Sequence, residues 1–179
     1  MTPPEYIQLK AFARVDGALL SLLWVASFAC YIVGLSTQAA SMLGLLLAMA
    51  TPFFVGYRLR LFRDLAREGI ISFMRSWAYV VLVFFYGSVL FSLVVYGYFA
   101  YVDQGYVLHV LEQTLTSQEM AAVIEQYGMQ ESIAQLMSDL AMVRPIDIAI
   151  NLLTSNVLLG MVAGVLIAGL LYRKEISRK

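Results

Sequence analysis

Four stretches of the chain, residues 17–35, 39–57, 77–102 and 148–172, run without a single Asp, Glu, Lys, Arg or His. Each is 19 to 26 residues long. A helix rising 1.5 Å per residue needs ~20 residues to cross ~30 Å of hydrocarbon. A backbone in lipid must satisfy its own hydrogen bonds, so runs of this length predict helices rather than open strands. A soluble bundle would carry a polar stripe along each helix, and none of the four has one. The pattern predicts an all-α fold, an integral membrane bundle of four transmembrane helices at about 17–35, 39–57, 77–102 and 146–172. The whole of 1–179 reads as a single membrane domain.

Between the runs the period changes. Leu59, Phe62, Ala66, Ile70 and Phe73 recur every three or four residues, which predicts an amphipathic helix over the connection 58–76, lying in the leaflet. Within it Asp64 is placed to pair with Arg60 and with Arg67. The second long connection, 103–145, is too long to lack structure. Val107, Leu108, Leu111 and Leu115 have helical spacing, as though the third span ran on. Thr116 and Glu119 form a candidate capping box, and Gly128 a stop for the helix it opens. Ile133, Leu136, Met137 and Leu140 repeat the pattern before Arg144 and Pro145. Met120, Met129, Met137 and Met142 give this loop adaptable apolar contacts, of which core packing is the commoner use.

Composition agrees with a lipid solvent. Hydrophobic residues make up 61% and charged residues 13%, against about 25% charged in an ordinary soluble domain. The formal net charge of zero conceals a partition. Eleven of the twelve basic residues fall before the first span, between the second and third, or after the fourth. By the positive-inside rule that face is cytoplasmic, which places both termini in the cytoplasm. The opposite face holds Asp103, Glu112, Glu119, Glu125, Glu131, Asp139 and Asp147 against Arg144 alone, making 103–145 an extracytoplasmic helical loop. Tyr57, Tyr172 and Trp77 mark inner boundaries and Tyr96, Tyr98, Tyr101 and Tyr106 the outer one, as interfacial aromatics do. The first run is too long for a signal-peptide core. Cys30, the one cysteine, leaves the redox compartment unread.

Candidate chemistry is sparse, and no charge falls within the apolar runs. No catalytic, cofactor-binding or metal-binding residue emerges. The lone His109 has no ligand partners at metal spacing, and neither a phosphate loop, a nucleophile elbow nor a basic aromatic patch for nucleic acid is present. Three groups remain. Arg60, Arg63, Asp64 and Arg67 could contact anionic lipid headgroups or an acidic partner, though topology alone would also account for the arginines. Asp147, Asn151 and Ser155, beside Thr154, form a polar face on the fourth span. It would suit a transport vestibule, or more simply capping and interhelical hydrogen bonds. Asn156, Gly160, Gly164 and Ala168 form a small-residue stripe for close helix packing, within the chain or between copies.

The stretch Arg63-Asp64, then Gly69, then Ile71-Ser72-Phe73 before the third span resembles a bacterial family of small four-helix cytoplasmic-membrane proteins classed as a domain of unknown function. The helical loop ending at Pro145 and the small-residue last span with its basic tail extend the resemblance over nearly the whole chain. It implies a bacterial inner-membrane location and no established activity. Relatives lie beside a membrane glycosyltransferase, which implies a role in the envelope. The expectation is a non-enzymatic membrane scaffold or accessory subunit without a cofactor. Its partners are the lipid bilayer and a membrane protein or a second copy, with no nucleic acid. The alternative is a small oligomeric transporter or lipid carrier.

Overall fold

The computed structural model describes residues 3–173, with their side chains except those of Pro3, Pro4 and Glu119. The basic tail residues Lys174, Arg178 and Lys179, and the Glu119 half of the expected capping box, lie outside the described residues. The fold is all-α. Four helices are long and apolar enough to cross a membrane: Glu5–Gly34, Gln38–Ala66, Phe73–Tyr101 and Pro145–Leu171. By element these are α1 (Pro3–Gly34), the pair α2 (Gln38–Met49) and α3 (Thr51–Ala66), α4 (Phe73–Tyr101) and α8 (Pro145–Leu171). Between the last two come α5 (Tyr106–Leu115), α6 (Gln118–Gln126) and α7 (Gln130–Met142). The chain forms two compact units, one of residues up to Val94 together with those from Asn151, the other Val95–Ile150.

In the first unit, α1 and α2 make a hairpin closed by the short turn after Gly34. Ser41 donates to the Gly34 carbonyl at 2.8 Å and Ser27 to the Gly44 carbonyl at 2.7 Å. Pro52 lacks an N–H, and α2 gives way to α3 just before it. The helical bonds nearly continue, with Phe54 N–H donating to Ala50 O at 2.9 Å. The helix then runs past Tyr57 to Ala66.

That run overturns the expected amphipathic connection over 58–76. Nothing between Tyr57 and Ala66 stops a helix, so Arg58, Arg60 and Arg63 sit on the extension of the second span. The break comes at Glu68 and Gly69, both at positive φ, where glycine's freedom is needed at Gly69. Leu59 and Phe62 are buried in the bundle rather than laid in a leaflet. The connection shrinks to residues 67–72. Ile71 in it exchanges both backbone hydrogen bonds with Arg173, at 3.0 and 3.1 Å.

Small residues set the helix contacts. At Gly17 an added Cβ would lie 2.7 Å from Tyr86 Cβ, and at Gly87 it would lie 3.1 Å from the Gly17 carbonyl. Here α1 and α4 cross backbone to backbone. On α8, a Cβ on Gly160 would collide with Phe84, and one on Gly164 would lie 3.2 Å from Trp77 of α4. Gly169 has nothing within 4 Å. Trp77 donates its indole N–H to the Met161 carbonyl at 3.0 Å, so it packs helix on helix as well as marking a boundary.

In the second unit, α4 does not run on into α5. The chain turns at Gln104 and Gly105, both at positive φ. Asp103 caps α5 by accepting from Gly105 N–H at 3.1 Å and Val107 N–H at 3.2 Å. The Thr116 hydroxyl bonds back to the Glu112 carbonyl of α5 at 2.8 Å, so Ser117 and not Thr116 stands at the N-cap of α6. Gly128, at φ 63°, ends α6. Its N–H reaches Glu125 O at 3.1 Å and that of Met129 reaches Ile124 O at 2.9 Å, the paired bonds of a Schellman motif.

Candidate functional site

Asp16 is the most deeply buried charge in the first unit, 1% exposed. It is the residue immediately before the first apolar run, on α1. At 1.5 Å per residue it sits about 27 Å from the Gly34 end of that helix, at the basic end of the bundle. Arg58 of α3 donates Nε to Asp16 Oδ1 at 2.6 Å, and its Nη2 contacts the same oxygen. The Tyr79 hydroxyl of α4 donates to Asp16 Oδ2. Tyr79 is fully buried and stacked on Phe62 of α3, ring centroids 4.7 Å apart and 5° from parallel. One carboxylate thus joins three helices.

Further toward that end, Glu5 accepts from Arg67 at 2.8 Å and from Arg75 at 3.0 Å. The buried Arg63 pairs with Asp64 at 2.8 Å and donates Nη1 to the Leu171 carbonyl at 3.1 Å. It thereby satisfies one of the orphan carbonyls at the end of α8. Asp64 is therefore held by Arg63, not by Arg60 or Arg67 as its spacing suggested. The turn at Glu68 carries Arg67 across to Glu5. Of the four residues proposed for lipid or partner contact, Arg63 and Arg67 are engaged inside the fold, while Arg60 and Asp64 are exposed.

The polar face of α8 is exposed along its length. Asp147 is bound bidentately by Arg144, at 2.8 and 2.9 Å. Ser155 donates to Asn151 Oδ1 at 3.4 Å. Of the small-residue stripe, Gly160, Gly164 and Ala168 are buried, whereas Asn156 turns to the edge of a crevice.

That crevice, about 710 Å³, opens between α1, α2, α4 and α8. Its walls include Trp24, Phe28, Gly44, Phe84, Phe91 and Leu159. Trp24 lies 5.6 Å from Phe84 and 5.7 Å from Phe91, centroid to centroid. Three of the hydroxyls around it are engaged: Ser27 and Ser41 bond carbonyls, and Thr51 accepts the Trp24 indole N–H at 3.0 Å. Such a surface suits an acyl chain or an apolar helix better than a hydrated solute. None of Asp147, Asn151 and Ser155 lines it.

Sequence reasoning missed Asp16, Arg58, Tyr79 and the glycine pair Gly17 and Gly87. Asp16 lies one position outside an apolar run and its partners are 42 and 63 residues away, so no local spacing announces them. The small residue beside a lone carboxylate, Asp16-Gly17, was the one available signal.

A family model described as "Protein of unknown function (DUF4199)" matches residues 16–174. No curated protein and no solved structure matches the chain.

Proposed function

We propose that this chain, which belongs to the DUF4199 family, is a non-enzymatic scaffold or accessory subunit of a bacterial cytoplasmic membrane, with both termini inside. The observation that carries the reading is how the polar groups of the first unit are used. Asp16, Arg58, Tyr79, Glu5, Arg63, Arg67 and Arg75 bind one another or helix ends. None of them lines the apolar crevice of that unit. Apart from Arg67 Nε and Nη2 and Ser92 Oγ, which are buried without a partner, the buried polar side chains of the described residues are satisfied within the fold and serve its rigidity and specificity, and an apolar concavity in lipid recognises shape. A membrane-protein partner fits that surface.

The transporter alternative uses the Asp147, Asn151 and Ser155 face as a hydrated path. None of those three side chains lines the crevice, and Asp147 is held by Arg144, which favours the scaffold. The test is thiol labelling of Ser155→Cys in a Cys30→Ala background, using an impermeant reagent from outside. No labelling is expected, alongside recovery of a discrete membrane-protein complex from native membranes in mild detergent. Labelling as fast as at Gln118→Cys would overturn the reading in favour of an open aqueous vestibule.

A further inference from the structure

We infer that the groove formed by α5, α6 and α7 docks a basic amphipathic helix of a partner protein. The groove, about 500 Å³, has Leu115, Ile124, Ile133 and Met137 on its apolar walls and Glu112 and Glu125 among the residues that line it. All six come from the second unit. From Tyr106 to Ile148 no described side chain is buried, although all three helices carry apolar stripes. Isolated helices of nine to thirteen residues are too short to persist in water by propensity alone. Their apolar faces need a cover.

Charge selects the cover. Residues 95–150 hold seven acidic side chains and one basic one, Arg144. An anionic lipid surface attracts basic amphipathic helices and repels acidic ones. A second copy seated groove to groove would oppose Glu112 and Glu125 with their own equivalents, a costly like-charge contact. A cationic helix meets both demands. Its apolar residues at i, i+3 or i+4 and i+7 enter the groove, and its lysines or arginines reach Glu112 and Glu125. The methionine at position 137 lets the wall adapt to the entering side chains.

The inference rests on the accessory-subunit reading and assigns it a contact. The probe is a 20-residue peptide with leucine at helical spacing and lysine elsewhere, and its control replaces every lysine with glutamate. The full chain, carrying Cys30→Ala and Ile133→Cys, is placed in zwitterionic nanodiscs and alkylated with an impermeant maleimide. The lysine peptide is expected to slow alkylation of Ile133→Cys at least tenfold while leaving a Gln118→Cys control unchanged, and the glutamate peptide to do nothing. Adding Glu112→Gln and Glu125→Gln, exposed and isosteric changes, should remove most of the protection. Equal protection at both cysteines, or protection indifferent to the two glutamates, would overturn the inference in favour of peptide merely adsorbed to lipid. Dimerisation abolished by Ile124→Gln would overturn it in favour of a second copy. A native-membrane complex that survives the glutamine changes would sink this contact and leave the scaffold reading standing.

Discussion

Burying a carboxylate costs several kcal/mol even after relaxation, and Asp16 recovers that cost only through the groups around it. Arg58 neutralises it and Tyr79 hydrogen-bonds it, each from a different helix. Removing one partner of a buried pair leaves the other uncompensated, at about 3–5 kcal/mol. Asp16→Ala should therefore destabilise the protein by about that much in a detergent unfolding titration. Tyr79→Phe removes one hydrogen bond to a charged group, worth about 1.5–3 kcal/mol, and should cost less. The double replacement Asp16→Leu with Arg58→Met should recover much of the loss, because no unpaired charge remains. If the double change costs the sum of the two single changes, the pair is not coupled in this way. A purely local reading of the sequence could not find this cluster. A charge-free run is recognisable by what it lacks, and Asp16 stands just outside one.

Elements, by contrast, were largely legible, and for a physical reason. A spanning helix must exclude charge over about twenty residues, and that signal survives without any knowledge of neighbours. The ends were not, because a helix continues past its apolar run until something breaks it. The second span's helix runs on through Arg58, Arg60 and Arg63 to Ala66, and the break waits for the positive-φ residues Glu68 and Gly69. The stripe on α8 was readable as a face but not by partner, which the structure supplies in Phe84 and Trp77. Gly160→Leu and Gly164→Leu should each cost at least about 1–3 kcal/mol through overpacking. Gly169→Leu, with open space around it, should change stability little or improve it by favouring helix. Thermal unfolding of the three variants in one detergent checks this, and equal mild effects would exclude a close α4–α8 contact.

At the scale of the molecule, three tethers gather separate stretches of the chain at one end of the first unit. Glu5 near the start of α1 binds Arg67 and Arg75 on either side of the second-to-third connection. Arg173 beyond α8 bonds Ile71 in that same connection. The beginning of the first span, the middle connection and the end of the last span therefore lie together, as four antiparallel crossings require. Geometry fixes that they share a side, and charge decides which side it is. In sequence, eleven of the twelve basic residues fall before the first span, between the second and third, or after the fourth, so the positive-inside rule predicts that side to be cytoplasmic, with residues 103–145 outside. A reporter that is active only in the cytoplasm should work when fused at either terminus or inserted after Arg67, and fail when inserted at Gln118. Activity at one terminus alone would contradict the tethers and the even number of crossings together. Activity at Gln118 with silence at the other three positions would preserve the fold and reverse its orientation, leaving the charge argument as the step that failed.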